Sequence, residues 1–209
     1  MTTKFPTKRT VGTTVAGFLA VGATTLSSAA QIAPSPTLVE FPMVVSSGAS
    51  ACLSKAQGRV TIHSTGPVEI MNVLVTGLPP KTGFDFFVIQ VPAAPFGMAW
   101  YQGDIQTDQN GNGNGTFIGR FNIETFMVAV GSAPAPVVFN GPFPDASINP
   151  ATNPIQMYHL GLWFNNPADA AKAGCPSTVT PFNGEHNAGI QVLNTSNFPN
   201  LQGPLLNVQ

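Results

Sequence analysis

Hydrophobic residues along this chain fall in short runs whose length and composition are typical of strands. The runs are GRVTIHS, VEIMNVLVTGL, FDFFVIQV, GMAWYQGDIQ, TFIGRFNIETFMVAV, MYHLGLWF, STVTPF and AGIQVLNT. Most of them are rich in β-branched and aromatic residues, and Gly, Pro and Asn separate them. VEIMNVLVTGL and FDFFVIQV are apolar at most positions, which predicts central rather than one-sided strands.

One segment has the pattern of a helix. In NPADAAKAG, Asn166 is a suitable N-cap, Pro167 fits the first helical position, and Gly174 ends an alanine-rich interior. Elsewhere the chain turns at glycine and proline, as in GLPPKTG, where the prolines cannot donate to a sheet. We therefore predict an all-β fold, an antiparallel β-sandwich (Ig-like or jelly-roll-like) of about eight strands, with one short helix near 166–173.

The start of the chain has the pattern of a secretory signal peptide. Lys4, Lys8 and Arg9 precede the uncharged run VGTTVAGFLAVGATTL, and the small residues Ser28 and Ala30 follow it. The run is short and rich in Gly, Thr and Ala, so it is a poor membrane span. We predict export, with residues 1–30 as the signal peptide.

The remaining residues divide into three parts. Residues 31–50 are loop-like, because they are rich in Pro, Ser and Gly. The strand-like runs fill residues 51–198, which suits a single β-sandwich domain, and residues 199–209 form a polar tail.

The charge content is low and narrows the range of partners. Only 8% of residues are charged, where about 25% is usual. Without residues 1–30, five basic and nine acidic residues remain, a net charge of −4. The absence of a basic stripe argues against nucleic acid and against an anionic membrane surface as partners. A surface of amides and hydroxyls repels its copies weakly, which favours self-association or contact with a glycan or cell wall.

The chain has two cysteines, Cys52 and Cys175. In an exported protein an even pair is most simply a disulfide, and two buried free thiols are the alternative.

The stretch TDQNGNGNGTF resembles the opening half of a calcium loop, because Asp108, Asn110 and Asn112 alternate and Gly113 follows. The second half does not fit, since Gly119 stands where a bidentate carboxylate is needed. A hairpin loop is the favoured interpretation, and a calcium site of another kind is the alternative.

Aromatic and polar residues supply further candidates for ligand binding. Flat rings suit the apolar faces of sugars, so Trp100, Tyr101 and Trp163 are candidates for a glycan platform, with core packing as the alternative. Glu185 and His186 are adjacent in a Gly/Asn loop and are candidates for metal binding or proton transfer. Adjacent side chains diverge on an extended chain, however, which favours a surface turn.

No established catalytic motif is present: HExxH, GxSxG and GxGxxG are all missing. We therefore predict no cofactor, assign no catalytic residue, and favour a non-catalytic role. A glycosidase would need two facing carboxylates, and the sequence offers four without showing which ones meet: Asp85, Asp104, Glu124 and Glu185.

The segments from VLVTGLPPKTGFDFFVIQVPAAPFGMAWYQGDIQTD through GRFNIETF to HLGLWFNNPADAAKAGCPSTVTPFNGEHNAGIQVLNT resemble uncharacterised exported β-sandwich proteins of bacteria. The GLPPKTGF turn is also similar to turns of Ig-like and fibronectin-type modules. The resemblance implies an extracellular or cell-surface location and carries no activity.

These observations together predict an exported, non-catalytic structural or binding module of the cell surface or extracellular matrix. Two alternatives remain open: a carbohydrate-binding or carbohydrate-acting protein, and an extracellular enzyme with a Glu185/His186 site.

Overall fold

The computed structural model describes residues 38–129 and 153–209. The predicted signal peptide, residues 1–30, lies outside this part of the chain. Within the described residues the chain forms ten strands, one α-helix and one 3-10 helix. The strands are β1 (Leu38–Val45), β2 (Gln57–Ser64), β3 (Glu69–Thr76), β4 (Gly83–Ile89), β5 (Ala99–Gln106), β6 (Gly113–Gly119), β7 (Phe126–Ala129), β8 (Asn153–Gln156), β9 (His159–Phe164) and β10 (Gln191–Asn194). The helices are α1 (Pro167–Lys172) and a 3-10 turn at Pro204–Asn207.

Eight strands form one antiparallel sheet in the order β5-β4-β9-β10-β1-β2-β3-β6, and β7 pairs with β8 separately. The two end strands, β5 and β6, approach each other where Thr107 bridges Gly113. The sheet therefore curls almost into a barrel. The predicted all-β antiparallel fold with one short α-helix is confirmed.

Four strands, β1, β2, β3 and β6, have one face in the core and one face towards solvent; we call them the open half. In β3, for example, Met71, Val73 and Val75 are buried, whereas Asn72 and Leu74 are exposed. This alternation is expected of an antiparallel sheet with one solvated face. The prediction that VEIMNVLVTGL forms a strand buried on both faces is therefore wrong, because exposed residues of β3 alternate with buried ones.

The strands β4, β9 and β10 are buried on both faces; we call them the covered half. Every residue of β9 and β10 is buried, as is every residue of β4 except Gly83. The inner side chains join the main core, and the outer ones pack under the loops 90–98 and 176–190. The prediction of a central strand at FDFFVIQV is thus confirmed.

The main core lies between the two halves. Phe86 of β4 stacks on Phe117 of β6 with ring centroids 5.1 Å apart, although these strands are not neighbours in the sheet. A disulfide joins Cys52, in the turn after β1, to Cys175, just after α1, with Cα atoms 5.3 Å apart. The predicted cysteine pair is confirmed, and it links the open half to the covered half.

The helix begins and ends where the sequence predicts. Asn166 is the N-cap and its Oδ1 accepts from the Asp169 N–H at 2.8 Å. Pro167 occupies the first turn, and Gly174, at a φ of +75°, follows the last turn. This left-handed conformation is the usual glycine stop of a helix.

Two segments differ from the sequence prediction. Within the loop-like segment 31–50, residues Leu38–Val45 form β1, and Pro42 is tolerated because β1 is paired only with β2 at that point. Within the polar tail 199–209, the apolar Leu205 and Val208 are fully buried. Both side chains join the main core, and the Leu205 N–H donates to the Tyr158 carbonyl at 3.2 Å.

None of the helices in the described part of the chain is long and apolar enough to cross a bilayer.

Candidate functional site

An irregularity in the edge strand β5 brings two polar side chains together. Phe86 of β4 opposes Gly103, and the next residue, Phe87, opposes Tyr101, so Gln102 is an extra residue in β5. This β-bulge places Tyr101 and Asp104, three positions apart, on the same outer face. The Tyr101 hydroxyl donates to Asp104 Oδ1 at 2.8 Å.

A glycine makes this bulge compatible with the core. Gly103 has a φ of +150°, and a Cβ there would lie 2.9 Å from the ring of Phe117. Any side chain at this position would displace the ring that stacks on Phe86. The bulge and the core contact therefore depend on the same glycine.

Asp85 of β4 lies directly beside this pair and is only 2% exposed. It is the cross-strand partner of Asp104 on one side and of Trp163 on the other. Its Oδ2 accepts from Asn183 Nδ2 at 3.1 Å. Among the described residues, neither Asp85 nor Asp104 forms an ion pair with a basic side chain.

These surroundings raise the pKa of Asp85 to about 6. Burial is the main cause, and the negative charges of Asp104 and Glu185 add to it, whereas the Asn183 hydrogen bond lowers the pKa. Asp85 therefore keeps its proton at a pH where an ordinary aspartate has lost it.

The same surroundings hold the Tyr101 hydroxyl protonated. Burial and the hydrogen bond to Asp104 raise the pKa of Tyr101 to about 12. The phenol is thus a fixed donor to the carboxylate, while its side chain remains 48% exposed.

The loop over this region is held by one asparagine. Asn183 Oδ1 accepts from the N–H groups of Asn187, at 2.8 Å, and Ala188, at 3.1 Å. Its Nδ2 donates to Asp85 and to the Asn165 carbonyl. The loop conformation and the position of the Asp85 carboxyl are therefore coupled through Asn183.

Glu185 and His186, the predicted polar pair, both lie exposed in this loop. Glu185 Oε2 accepts from Asn187 Nδ2 at 3.3 Å, and His186 occupies the turn with a φ of +57°. The hydrogen bonds described for this loop join Glu185 to Asn187 rather than to His186. The negative charge of Glu185 instead helps to raise the pKa of Asp85.

Four aromatic rings form a cluster next to the carboxyl group of Asp85. Trp163 lies 5.2 Å from Phe87, 5.1 Å from Phe96 and 5.6 Å from Phe182, measured between ring centroids. Trp163 is fully buried, so it packs beneath the loops and is not displayed as a glycan platform. For Trp163, core packing, which was the alternative to a glycan platform, is therefore correct.

Trp100 and Tyr101 remain partly exposed, at 39% and 48%. They lie on opposite faces of β5, because Trp100 opposes Val88, which packs in the main core, and Tyr101 opposes Phe87 of the outer cluster. The structure therefore places Tyr101 at the carboxylate site and Trp100 outside it.

The TDQNGNGNGTF stretch forms the predicted hairpin loop between β5 and β6. Asp108 Oδ1 accepts from the N–H groups of Asn110, at 2.7 Å, and Asn112, at 2.9 Å. These bonds lower the pKa of Asp108 and turn the chain as an Asx motif does. Within residues 38–129 and 153–209, no group of three His, Cys, Asp or Glu side chains is arranged to hold a metal ion.

Of the four carboxylates that the sequence offered, Asp85 and Asp104 face each other across neighbouring strands. The charge of Glu185 acts on the same place, because it helps to raise the pKa of Asp85. The fourth, Glu124, pairs with Arg120 at 3.3 Å elsewhere on the surface. The sequence carried two signals of this site: a lone carboxylate inside the apolar run FDFFVI, and a glycine inside the strand WYQGDI, which marks a bulge.

No protein-family model matches the chain, and no curated protein matches it. The site must therefore be interpreted from its own chemistry. Next to an exposed phenol ring it offers carboxyl groups that form no ion pair among the described residues, and one of them, Asp85, has a pKa raised to about 6.

Proposed function

We propose that this protein is an exported, non-catalytic structural or binding module of the cell surface or extracellular matrix, and that its ligand is a neutral or cationic glycan. The observation that carries the proposal is the exposed Tyr101 ring, fixed by its hydrogen bond to Asp104 beside the buried Asp85.

The chemistry of this group suits sugar hydroxyls. Carboxylate oxygens accept hydrogen bonds from hydroxyls, and an aromatic ring packs against the apolar face of a sugar. The carboxyl groups of Asp85, Asp104 and Glu185 lack a neutralising cation among the described residues. Their negative potential therefore disfavours anionic polysaccharides.

The location outside the cell rests on two supports. The Cys52–Cys175 disulfide is compatible with an oxidising compartment, and the first thirty residues have the pattern of a signal peptide. We also propose that the curled sheet is best described as a two-layered sandwich. The stacking of Phe86 on Phe117, across non-adjacent strands, supports two facing layers.

Calorimetric titration with soluble neutral, cationic and anionic polysaccharides tests the binding proposal. We expect the wild type to bind a neutral or cationic polymer, Tyr101→Ala to lose at least about 10-fold in affinity, and Tyr101→Phe, which keeps the ring, to lose less. Leu74→Ala, on the outer face of the open half, is the matched control and should bind as the wild type does. Wild-type protein that binds none of these polymers, or Tyr101→Ala that binds equally well, would refute the proposal.

A second candidate is a carbohydrate-acting enzyme, and the proton held by Asp85 near pH 6 favours it. A carboxylic acid whose raised pKa keeps it protonated near a second, ionised carboxylate is one feature of glycosidase sites, which in addition hold the two carboxyl groups about 5–10 Å apart around the substrate. Release of reducing sugar from the same polymers by the wild type would establish this activity, provided that each of the single variants Asp85→Asn and Asp104→Asn abolishes the release. Binding without release of sugar would favour the module.

A further inference from the structure

The outer face of the open half is a regular array of side chains in register across four strands. One row contains Leu38, His63, Ile70 and Ile118; the next contains Glu40, Thr61, Asn72 and Thr116; the third contains Pro42, Arg59, Leu74 and Asn114. All twelve point away from the core, as the alternating burial of the four strands shows.

Several apolar side chains on this face are exposed to solvent. Leu38 is 67% exposed, Ile118 66% and Leu74 54%. Ile70 is half-buried and lies directly beside Ile118. Exposed aliphatic side chains that share one face gain free energy when another apolar surface covers them.

The face carries almost no net charge. Arg59 Nη2 is paired with Glu40 Oε1, and His63 is the one other titratable group in the three rows. Electrostatic repulsion therefore does not keep a second identical face away.

We propose that this face binds the same face of a second copy of the chain, forming a two-fold symmetric dimer whose axis runs parallel to the strands between β2 and β3. This axis places β1 of one copy over β6 of the other, and β2 over β3. Each row of side chains then faces the same row of the partner. Leu38 of one copy then lies opposite Ile118 of the other, so the two most exposed large apolar side chains of the face cover each other.

The charges favour this axis over the perpendicular one. With the axis along the strands, Glu40 meets Thr116 and Arg59 meets Leu74, so no like charges face each other. An axis running across the strands through the middle row would place Glu40 against Glu40 of the partner. Like charges in direct opposition are destabilising, which excludes that arrangement.

The size of the face determines how strong the dimer can be. Four strands about 4.8 Å apart, each with seven or eight residues about 3.3 Å apart, cover roughly 19 by 25 Å. This footprint is smaller than the ~800 Å² per partner of a standard interface. We therefore expect a weak, reversible dimer that forms at high local concentration, as on a crowded surface or in a matrix.

Sedimentation velocity of the purified mature protein, from about 1 µM to about 1 mM, tests the dimer. We expect the wild type to shift from monomer to dimer across this range. Ile118→Lys should raise the dissociation constant at least about 10-fold, because it buries an unpaired charge. Leu201→Lys is the matched control, since Leu201 is 78% exposed and lies outside this face, and it should dimerise as the wild type does.

A wild type that stays monomeric throughout this range overturns the proposal, and so does a dimer that Ile118→Lys leaves equally stable. Neither result bears on glycan binding at Tyr101, which lies on β5 and outside this face.

Cysteine cross-linking tests the axis. Both natural cysteines are joined in the disulfide, so introduced cysteines supply the free thiols. Under mild oxidation the double variant Leu38→Cys/Ile118→Cys should form a covalent dimer, whereas either single variant should not. Efficient cross-linking of a single variant would overturn the proposed axis.

Discussion

The two halves of the sheet bury their inner faces alike but differ on their outer faces. The open half presents alternating side chains to solvent, whereas the covered half places Phe87, Ile89 and Trp163 under two loops. The loops themselves contribute Phe96 and Phe182 to this second cluster. A continuous sheet can thus support two kinds of surface, and the difference depends on the loops rather than on the strands alone.

The candidate site lies where the covered half ends. At the edge strand β5 the aromatic cover stops, so Tyr101 is half-exposed while Asp85, one strand further in, is almost fully buried. A carboxyl group at such a boundary is desolvated but still close to solvent. This position explains how it acquires a raised pKa next to a group that a ligand can reach.

The largest expected effect separates the outer faces of the two halves. Phe87→Ala removes a ring that contacts Trp163, Tyr101 and Phe182, and it should lower the free energy of unfolding by about 3–5 kcal/mol. Leu74→Ala, on the outer face of the open half, should cost less than about 0.5 kcal/mol. Urea unfolding at low micromolar protein concentration measures the free energy of unfolding of both variants. Equal losses in the two variants would show that the two outer faces do not differ in their contribution to stability.

The next effect concerns the covalent link between the halves. Replacing Cys52 and Cys175 together by alanine should lower the free energy of unfolding by about 2–5 kcal/mol, because the bridge closes a long loop in the unfolded chain. Thermal unfolding of the variant against the oxidised wild type measures this loss. A variant as stable as the wild type would show that the noncovalent core alone holds the halves together.

A smaller, pH-dependent effect belongs to the boundary site. Because the folded pKa of Asp85 is raised above its ordinary value to about 6, its contribution to stability is present below about pH 4 and is lost as the pH rises through 6. Asp85→Asn removes this loss and should be more stable than the wild type by about 1–2 kcal/mol at pH 8, but not at pH 4. Parallel stability curves for the two proteins would contradict the raised pKa.

Another pH effect, of opposite sign, belongs to His159 at the start of β9. Its ring is fully buried, with Nδ1 2.8 Å from Thr195 Oγ1, and burial lowers its pKa. A lowered histidine pKa gives stability that is present above the ordinary pKa of about 6.5 and is lost as the pH falls below it. His159→Gln should remove this acid sensitivity, which melting curves between pH 5 and pH 7 would reveal.

The smallest effect is expected on the open half. The Arg59–Glu40 pair is exposed, with 63% and 47% of the two side chains accessible. Arg59→Ala should therefore change the free energy of unfolding of the monomer by less than about 0.5 kcal/mol. A loss above 1 kcal/mol in urea unfolding would mean that this face contributes more to folding than its exposure indicates.

Local sequence signals predicted individual elements well. Asn166, Pro167 and Gly174 set the limits of α1, and the Asn and Gly residues around Asp108 predicted the hairpin loop. Such signals succeed because capping and turn formation depend on residues only a few positions apart. They failed for STVTPF, which was predicted as a strand but forms a single bridge, Thr180 with Ala188.

The run TFIGRFNIETFMVAV illustrates the same limit. It is one continuous apolar pattern, yet β6 ends at Gly119 and the next strand, β7, begins only at Phe126 and belongs to the separate pair β7-β8. The interruption is held by Glu69, whose Oε2 accepts from the Phe121 N–H at 2.8 Å. A residue 52 positions earlier in the chain therefore decides where this strand ends.

Patterns along the sequence were enough to predict the strand-rich fold and the helix limits, and they favoured a disulfide between the two cysteines over free thiols. The tertiary structure alone decided which outer faces are covered, that Trp163 is buried while Tyr101 is exposed, and that Asp85 meets Asp104. The physical reason is that burial and pKa depend on groups brought close by strand pairing and loop packing. Those contacts join residues such as Asp85 and Asn183, which lie far apart along the chain.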